Sequence, residues 1–203
     1  MRADGAVPLA PLAGQEARLA AMVRASAGLM AALRAGRGLG LASWCIGAGA
    51  VRSVVWDALH GFESPSRLDD VDVVYFESPG RPGRDAELEC ALRQALPGVG
   101  WEVTNQATVH EWFRETLQLQ VEPLLSLEAG VATWPEYATC VGVTLDADDS
   151  IRIIAPHGLD DLFAMRLRHN PARADAATFR ERLAAKRFSE RWPLVSVSPP
   201  GPA

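Results

Sequence analysis

The chain alternates between two hydrophobic periods. Over 15–34, Leu19, Met22, Val23, Leu29, Met30 and Leu33 recur at near-helical spacing in an alanine-rich background, predicting one amphipathic helix ended by the glycines of 36–40. The apolar run at 42–47 suits a buried strand. Val51, Val54, Val55, Ala58 and Leu59 then return to one helix face, starting near Gly49 and closing at Gly61. The stretch 69–77, DDVDVVYFE, is β-branched and aromatic in its second half and predicts a strand. Turn residues fill 78–84. Leu88, Leu92 and Leu96 mark a helix over 85–96, and 101–106 predicts another strand. Residues 107–120 are ambiguous. Residues 135–140 read as helical, and 140–145 and 150–155 as a hairpin around an Asp-rich turn. After Pro156, GLDDLFAMRLR carries acids in its first turn and arginines in its last, as a helix dipole favours. A second helix is expected near 176–188.

This order of elements predicts an α/β (α+β) fold, a sheet with helices packed on it and a helical C-terminal cap. The 203 residues fit a single domain, with 1–14 loose, a core over 15–155, a helical segment over 156–192 and a tail over 193–203. The composition, 48% hydrophobic and 22% charged, is that of a globular chain able to bury a sizeable core. A net charge of −5 argues against extended nucleic acid as a ligand, because phosphate backbones need a concentrated basic surface. Cys45, Cys90 and Cys140 are odd in number and far apart, which excludes a disulfide framework and fits reduced thiols. No apolar run is long enough to cross a bilayer, so the expected location is the cytoplasm. His60, His110, His157 and His169 show no metal-ligand spacing, which argues against zinc.

Two stretches carry candidate chemistry. In DDVDVVYFE, side-chain alternation puts Asp70 and Asp72 on one face and Asp69 on the other. Along a strand the Cα atoms of Asp70 and Asp72 lie ~6.5–7 Å apart. At an effective dielectric near 20, two carboxylates so placed repel by roughly 2–3 kcal/mol, which a divalent cation between them removes. The bland reading is the solvated end of a strand. The second stretch is IGAGAVR, Ile46 to Arg52, where a strand runs through glycines into a helix. Glycines permit close backbone approach and the helix start offers free N–H groups, a plausible phosphate cradle. It is neither a Walker A loop nor a complete dinucleotide fingerprint, and a plain strand-to-helix turn also accounts for it.

A glycine turn after one strand, followed by a helix and then D-x-D on the next strand, resembles the nucleotidyltransferase superfamily built on the polymerase-β core. WCIGAGAVRSVVWDALHGF, DDVDVVYFE, WEVTNQATVHEWF, WPEYATCVGV and APHGLDDLF further resemble, in order and spacing, a bacterial family of uncharacterised nucleotidyltransferase-like proteins, over roughly residues 40–192. The resemblance implies a mixed β-sheet with packed helices and nucleotidyl transfer from an NTP. It implies Mg²⁺ (or Mn²⁺) at Asp70 and Asp72, a third carboxylate at Glu102, and phosphates near Gly47 and Gly49; Arg52, by its own position, either reaches a phosphate or pairs with Asp57 or another surface acid. The acceptor is left open among a small molecule, a protein hydroxyl and an RNA end. Departures are the Gly-Ala-Gly turn, where the superfamily has Gly-Ser or Gly-Gly, and the long gap from Gly49 to Asp70. If Glu102 faces away, Asn105 is left at the site, and a neutral amide is no base; Asn105 and Gln106 at the strand end either cap the next helix or contact the base or ribose of the nucleotide. The alternatives are a nucleotide-binding module of the same fold with weak or no catalysis, and a structural or interaction subunit.

Overall fold

The computed structural model describes residues 12–68 and 70–199; Asp69, most of the segment expected to be a loose N-terminus and the end of the expected tail lie outside them. The predicted first helix is two: α1 (Leu12–Ala25) and α2 (Ala27–Arg37). Ser26 divides them. Its backbone is extended at φ −85°, and its Oγ accepts a hydrogen bond from the Leu29 N–H, so it caps α2 instead of continuing α1. The apolar period carries across this break, which is why the sequence reads as one helix.

Next come β1 (Trp44–Gly47) and α3 (Ala48–His60), which Gly61 ends in the left-handed region at φ 67°. β2 (Asp70–Tyr75), α4 (Arg84–Ala95) and β3 (Gly100–Asn105) follow as the hydrophobic pattern predicts. The ambiguous 107–120 stretch contains α5 (Val109–Leu117), with no buried residue. After α6 (Leu127–Val131), a single 3₁₀ turn (Tyr137–Thr139) leads into the hairpin β4 (Gly142–Leu145) and β5 (Ile151–Ile154). The helix expected after Pro156 is only α7 (Asp160–Phe163). Met165 takes φ +50°, which breaks the helix and turns the chain into β6 (Arg166–Leu167). α8 (Ala176–Lys186) and α9 (Phe188–Arg191) follow, and β7 (Ser196–Val197), inside the expected tail, pairs parallel to β6.

The main sheet has the order β3-β2-β1-β4-β5. Only β2 and β3 are parallel, through the crossover α4; the remaining neighbours are antiparallel. This is the mixed sheet with packed helices that the sequence resemblance implies. β1 sits at its centre and is buried along its whole length, in keeping with its apolar text. Val71 and Val73 of β2 are fully buried, whereas Asp70 is exposed and Asp72 partly buried, so alternation divides the strand into a core face and a polar face.

Gly47, at the junction of β1 and α3, is required by contact. A Cβ there would lie 2.2 Å from Cη2 of Trp134, inside the ring's van der Waals envelope. Gly47→Ala is therefore expected to lose about 1–3 kcal/mol in a urea titration, the usual penalty of overpacking. Trp134→Leu should absorb most of that loss in the double variant. Equal urea midpoints for wild type and Gly47→Ala would show that the ring moves aside freely.

Candidate active site

The two stretches singled out in the sequence meet because β1 and β2 are hydrogen-bonded neighbours, with Ile46 opposite Val73. Leaving β1, the chain turns sharply at Ala48, which adopts φ +46°, a left-handed conformation that costs a non-glycine residue roughly 1 kcal/mol or more. That strained turn aims the start of α3 at the polar face of β2. The parallel pairing sets Asp72 opposite Glu102 and Asp70 opposite Gly100. Asp70, Asp72 and Glu102 therefore line one cavity of about 300 Å³ together with Ala48, Gly49 and Ala50.

The carboxylates are close enough to feel one another. Asp72 is pushed up to about 6, first by burial and then by the charge of Glu102, with Asp70 adding to the effect. Glu102 also accepts a hydrogen bond from the protonated form of Asp72. Lys186, across the cavity, acts in the opposite direction and draws the Asp72 carboxyl down. A site of clustered acids that holds on to a proton is short of positive charge. All the candidate ligands are carboxylate oxygens, the donor type that hard divalent cations take. Among the described residues, no group of three acidic, histidine or cysteine side chains is already arranged as a metal cage.

The opposite wall comes from the C-terminal helices and was not recognised in the sequence. Arg182, Lys186, Arg191 and Trp192 line the cavity, with Arg67 and Thr139. Arg182 and Lys186 lie one helical turn apart, the only trace of this wall in the text. Their anchor is Glu136, which is fully buried. Its Oε1 accepts from Arg182 Nε at 2.7 Å, and its Oε2 accepts from Arg182 Nη2 at 3.2 Å and Thr139 Oγ1 at 2.9 Å. Asp57 forms a second anchor. It accepts from Trp192 Nε1 at 2.8 Å, from the Ser66 N–H at 2.6 Å and from Ser66 Oγ at 2.8 Å. Asp57 thus ties the loop before β2 to the C-terminal segment.

Arg52 lines the cavity, but it does not pair with Asp57. Its guanidinium carbon lies 5.5, 4.7 and 5.3 Å from the ring centroids of Trp56, Phe188 and Trp192. Burial lowers it to about 10, and its Nε has no hydrogen-bond partner among the described residues. Such a box of rings favours a cation.

Two other candidates do not join this cavity. Gly47 lies behind the turn against Trp134, while Gly49 faces the cavity. Asn105 is three residues beyond Glu102 on β3, so it projects to the opposite face. Its amide donates to the Glu77 carbonyl at 2.8 Å, and its carbonyl accepts from the N–H groups of Glu77 and Ala107 at 3.1 Å each. These bonds hold a separate cavity, lined also by residues 78–83 and His110.

A sequence profile of the family described as nucleotidyltransferase matches residues 34–197. Among solved structures, the chain resembles a protein whose NMR structure is described as revealing a CCA-adding enzyme head domain. The TM-score is 0.74 at 26% identity, over 90% of this chain and 95% of that one. Two longer proteins match over part of their length only. One is a tRNA nucleotidyltransferase complexed with a primer tRNA and an incoming ATP analogue (TM-score 0.48, 21% identity, 82% of this chain and 46% of that one). The other is the Thermotoga maritima CCA-adding enzyme complexed with tRNA (TM-score 0.48, 15% identity, 82% and 37%). The chain thus spans under half the length of either. No curated protein matches it. The profile covers most of the chain, including both faces of the cavity: this chain belongs to the nucleotidyltransferase family.

Proposed function

We propose that the protein transfers a nucleotidyl group from an NTP to an acceptor hydroxyl, with Asp70, Asp72 and Glu102 as its acidic centre. The observation that carries this reading is the meeting of three carboxylates with the start of α3 in one polar cavity. Asp70 and Asp72 are the residues that would hold Mg²⁺ or Mn²⁺. Such an ion neutralises phosphate charge and orients the reacting oxygens. The backbone at Ala48, Gly49 and Ala50, opening a helix of 13 residues, offers N–H groups to phosphate oxygens. In transfer, the acceptor oxygen bonds to the α-phosphorus. The bond from that phosphorus to the β-bridging oxygen breaks, and pyrophosphate leaves with the electron pair. Glu102 takes the acceptor's proton.

The net charge of −5 favours a compact acceptor, a small molecule, a protein hydroxyl or an RNA end, over a long nucleic acid. Among the described residues no helix is long and apolar enough to cross a membrane. Together with the reduced thiols this supports work in the cytoplasm. A binding module with weak or no catalysis is the second reading; among the described residues no three-ligand cage is pre-formed.

Incubation with Mg²⁺ or Mn²⁺ and α-labelled NTPs in a cell lysate should label an acceptor with wild type and not with Asp70→Asn/Asp72→Asn. Label transfer that survives the double substitution would remove these aspartates from the chemistry. Metal-dependent NTP binding with no labelled product would select the binding module.

A further inference from the structure

The basic wall opposite the carboxylates holds one cation in a different state from the rest. Arg182 is clamped by both oxygens of buried Glu136. Arg191 donates to Ser66 Oγ at 3.0 Å and stacks on Trp192. Arg52 is enclosed by three rings, and Arg67 also has partners. Lys186 makes no hydrogen bond or ion pair with any described residue, yet it lines the same cavity. It is the only lysine in the chain. It stands one turn beyond Arg182, so the Arg182–Glu136 clamp fixes the helix that carries it, on the wall of the cavity that also holds Asp70, Asp72 and Glu102.

We infer that Lys186 binds the β- and γ-phosphates of the NTP, and that in their absence it serves as counter-ion to the carboxylates lining the same cavity. The inference rests on the proposed nucleotidyl transfer. An ammonium is a compact charge with three donors on a flexible stem, so it can leave one anion for another without a fixed geometry, as a guanidinium fork cannot. When the bond between the α-phosphorus and the β-bridging oxygen breaks, negative charge grows on the departing pyrophosphate. Lys186 donates its hydrogen bonds to that group and keeps its protons, while the acceptor's proton goes to Glu102.

The test is calorimetric titration of wild type, Lys186→Met, Lys186→Arg and Arg187→Met with Mg²⁺ alone, Mg²⁺–tripolyphosphate and Mg²⁺–NTPs. Arg187→Met removes one positive charge from a residue that pairs with Glu190 and does not line this cavity. Lys186→Met should bind Mg²⁺–tripolyphosphate about tenfold or more weakly, as the loss of a charge-assisted hydrogen bond requires. Lys186→Arg, which keeps the charge but not the mobile ammonium, should fall between Lys186→Met and wild type, and Arg187→Met should match wild type. Mg²⁺ alone should bind Lys186→Met as well as wild type or better, because a competing counter-ion is gone. Equal tripolyphosphate affinity in wild type and Lys186→Met would overturn the inference and leave the site reading intact. Equal losses in Lys186→Met and Arg187→Met would reduce it to general electrostatics and overturn it as well. If wild type binds neither tripolyphosphate nor any NTP, the site reading fails, and the inference with it.

Discussion

Asp72→Asn is expected to cut nucleotidyl transfer sharply while making the protein more stable at neutral pH. The loss of activity follows from the proposed role. A metal's charge stabilisation is worth several kcal/mol and each 1.36 kcal/mol is tenfold in rate, so a fall on the order of 10³-fold is expected. The gain in stability follows from burial and crowding, which raise Asp72 from 3.8 to about 6. A carboxyl whose folded pKa exceeds its unfolded one binds more protons in the native state between about pH 4 and 6. Wild-type stability is therefore fullest below that window, falls as pH rises through it and levels off above. Asparagine carries no charge, can still donate to Glu102 and removes this slope. At one unit per 1.36 kcal/mol, the gain at pH 7 is about 1–3 kcal/mol. Urea titrations of both proteins from pH 4 to 8 test this. Parallel curves, or a variant less stable at pH 7, would mean that Asp72 is held by something other than repulsion and burial.

Arg182→Ala should produce the largest loss of stability, about 3–5 kcal/mol, because it strands the fully buried Glu136 without its positive partner. The same clamp holds α8 against the Tyr137–Thr139 turn, so the variant should also bind Mg²⁺–NTP more weakly through displaced Lys186. Glu136→Gln/Arg182→Met should recover most of the stability, since replacing both members of a buried pair costs far less than orphaning one. Denaturant unfolding at pH 7 decides the matter. A loss below about 1 kcal/mol for Arg182→Ala, or no recovery in the double variant, would show that water already reaches Glu136.

Much of the architecture was legible as periodicity. β1, α3, β2, α4 and β3 lie where the 3.6 and 2.0 repeats of Val51, Val73, Leu88 and Val103 put them. Ser26 was not legible as a break, because its cap acts through one hydroxyl while the apolar stripe passes over it. The stop after Phe163 was hidden too, because only the left-handed backbone of Met165 reveals it. The acidic half of the site was legible because Asp70 and Asp72 are two apart on a strand, and alternation alone puts them on one face. The basic half was not, because Arg182, Lys186 and Arg191 lie more than a hundred residues away from those acids, among many other arginines.

The sequence by itself determined the order of helices and strands, the shared face of Asp70 and Asp72, and the choice between Glu102 and Asn105 as alternatives of parity on one strand. Those are local matters, governed by side-chain period and turn chemistry. Only the tertiary structure decided which of the two faces the cavity, because the parallel register of Asp72 with Glu102 is set by the α4 crossover. It also decided that Gly47 serves packing and Gly49 the cavity, and that a C-terminal helix brings Lys186 opposite the acids. Contacts between distant segments depend on the buried Glu136–Arg182 and Asp57–Trp192 pairs, and no repeat along the chain encodes which partners a buried charge will find.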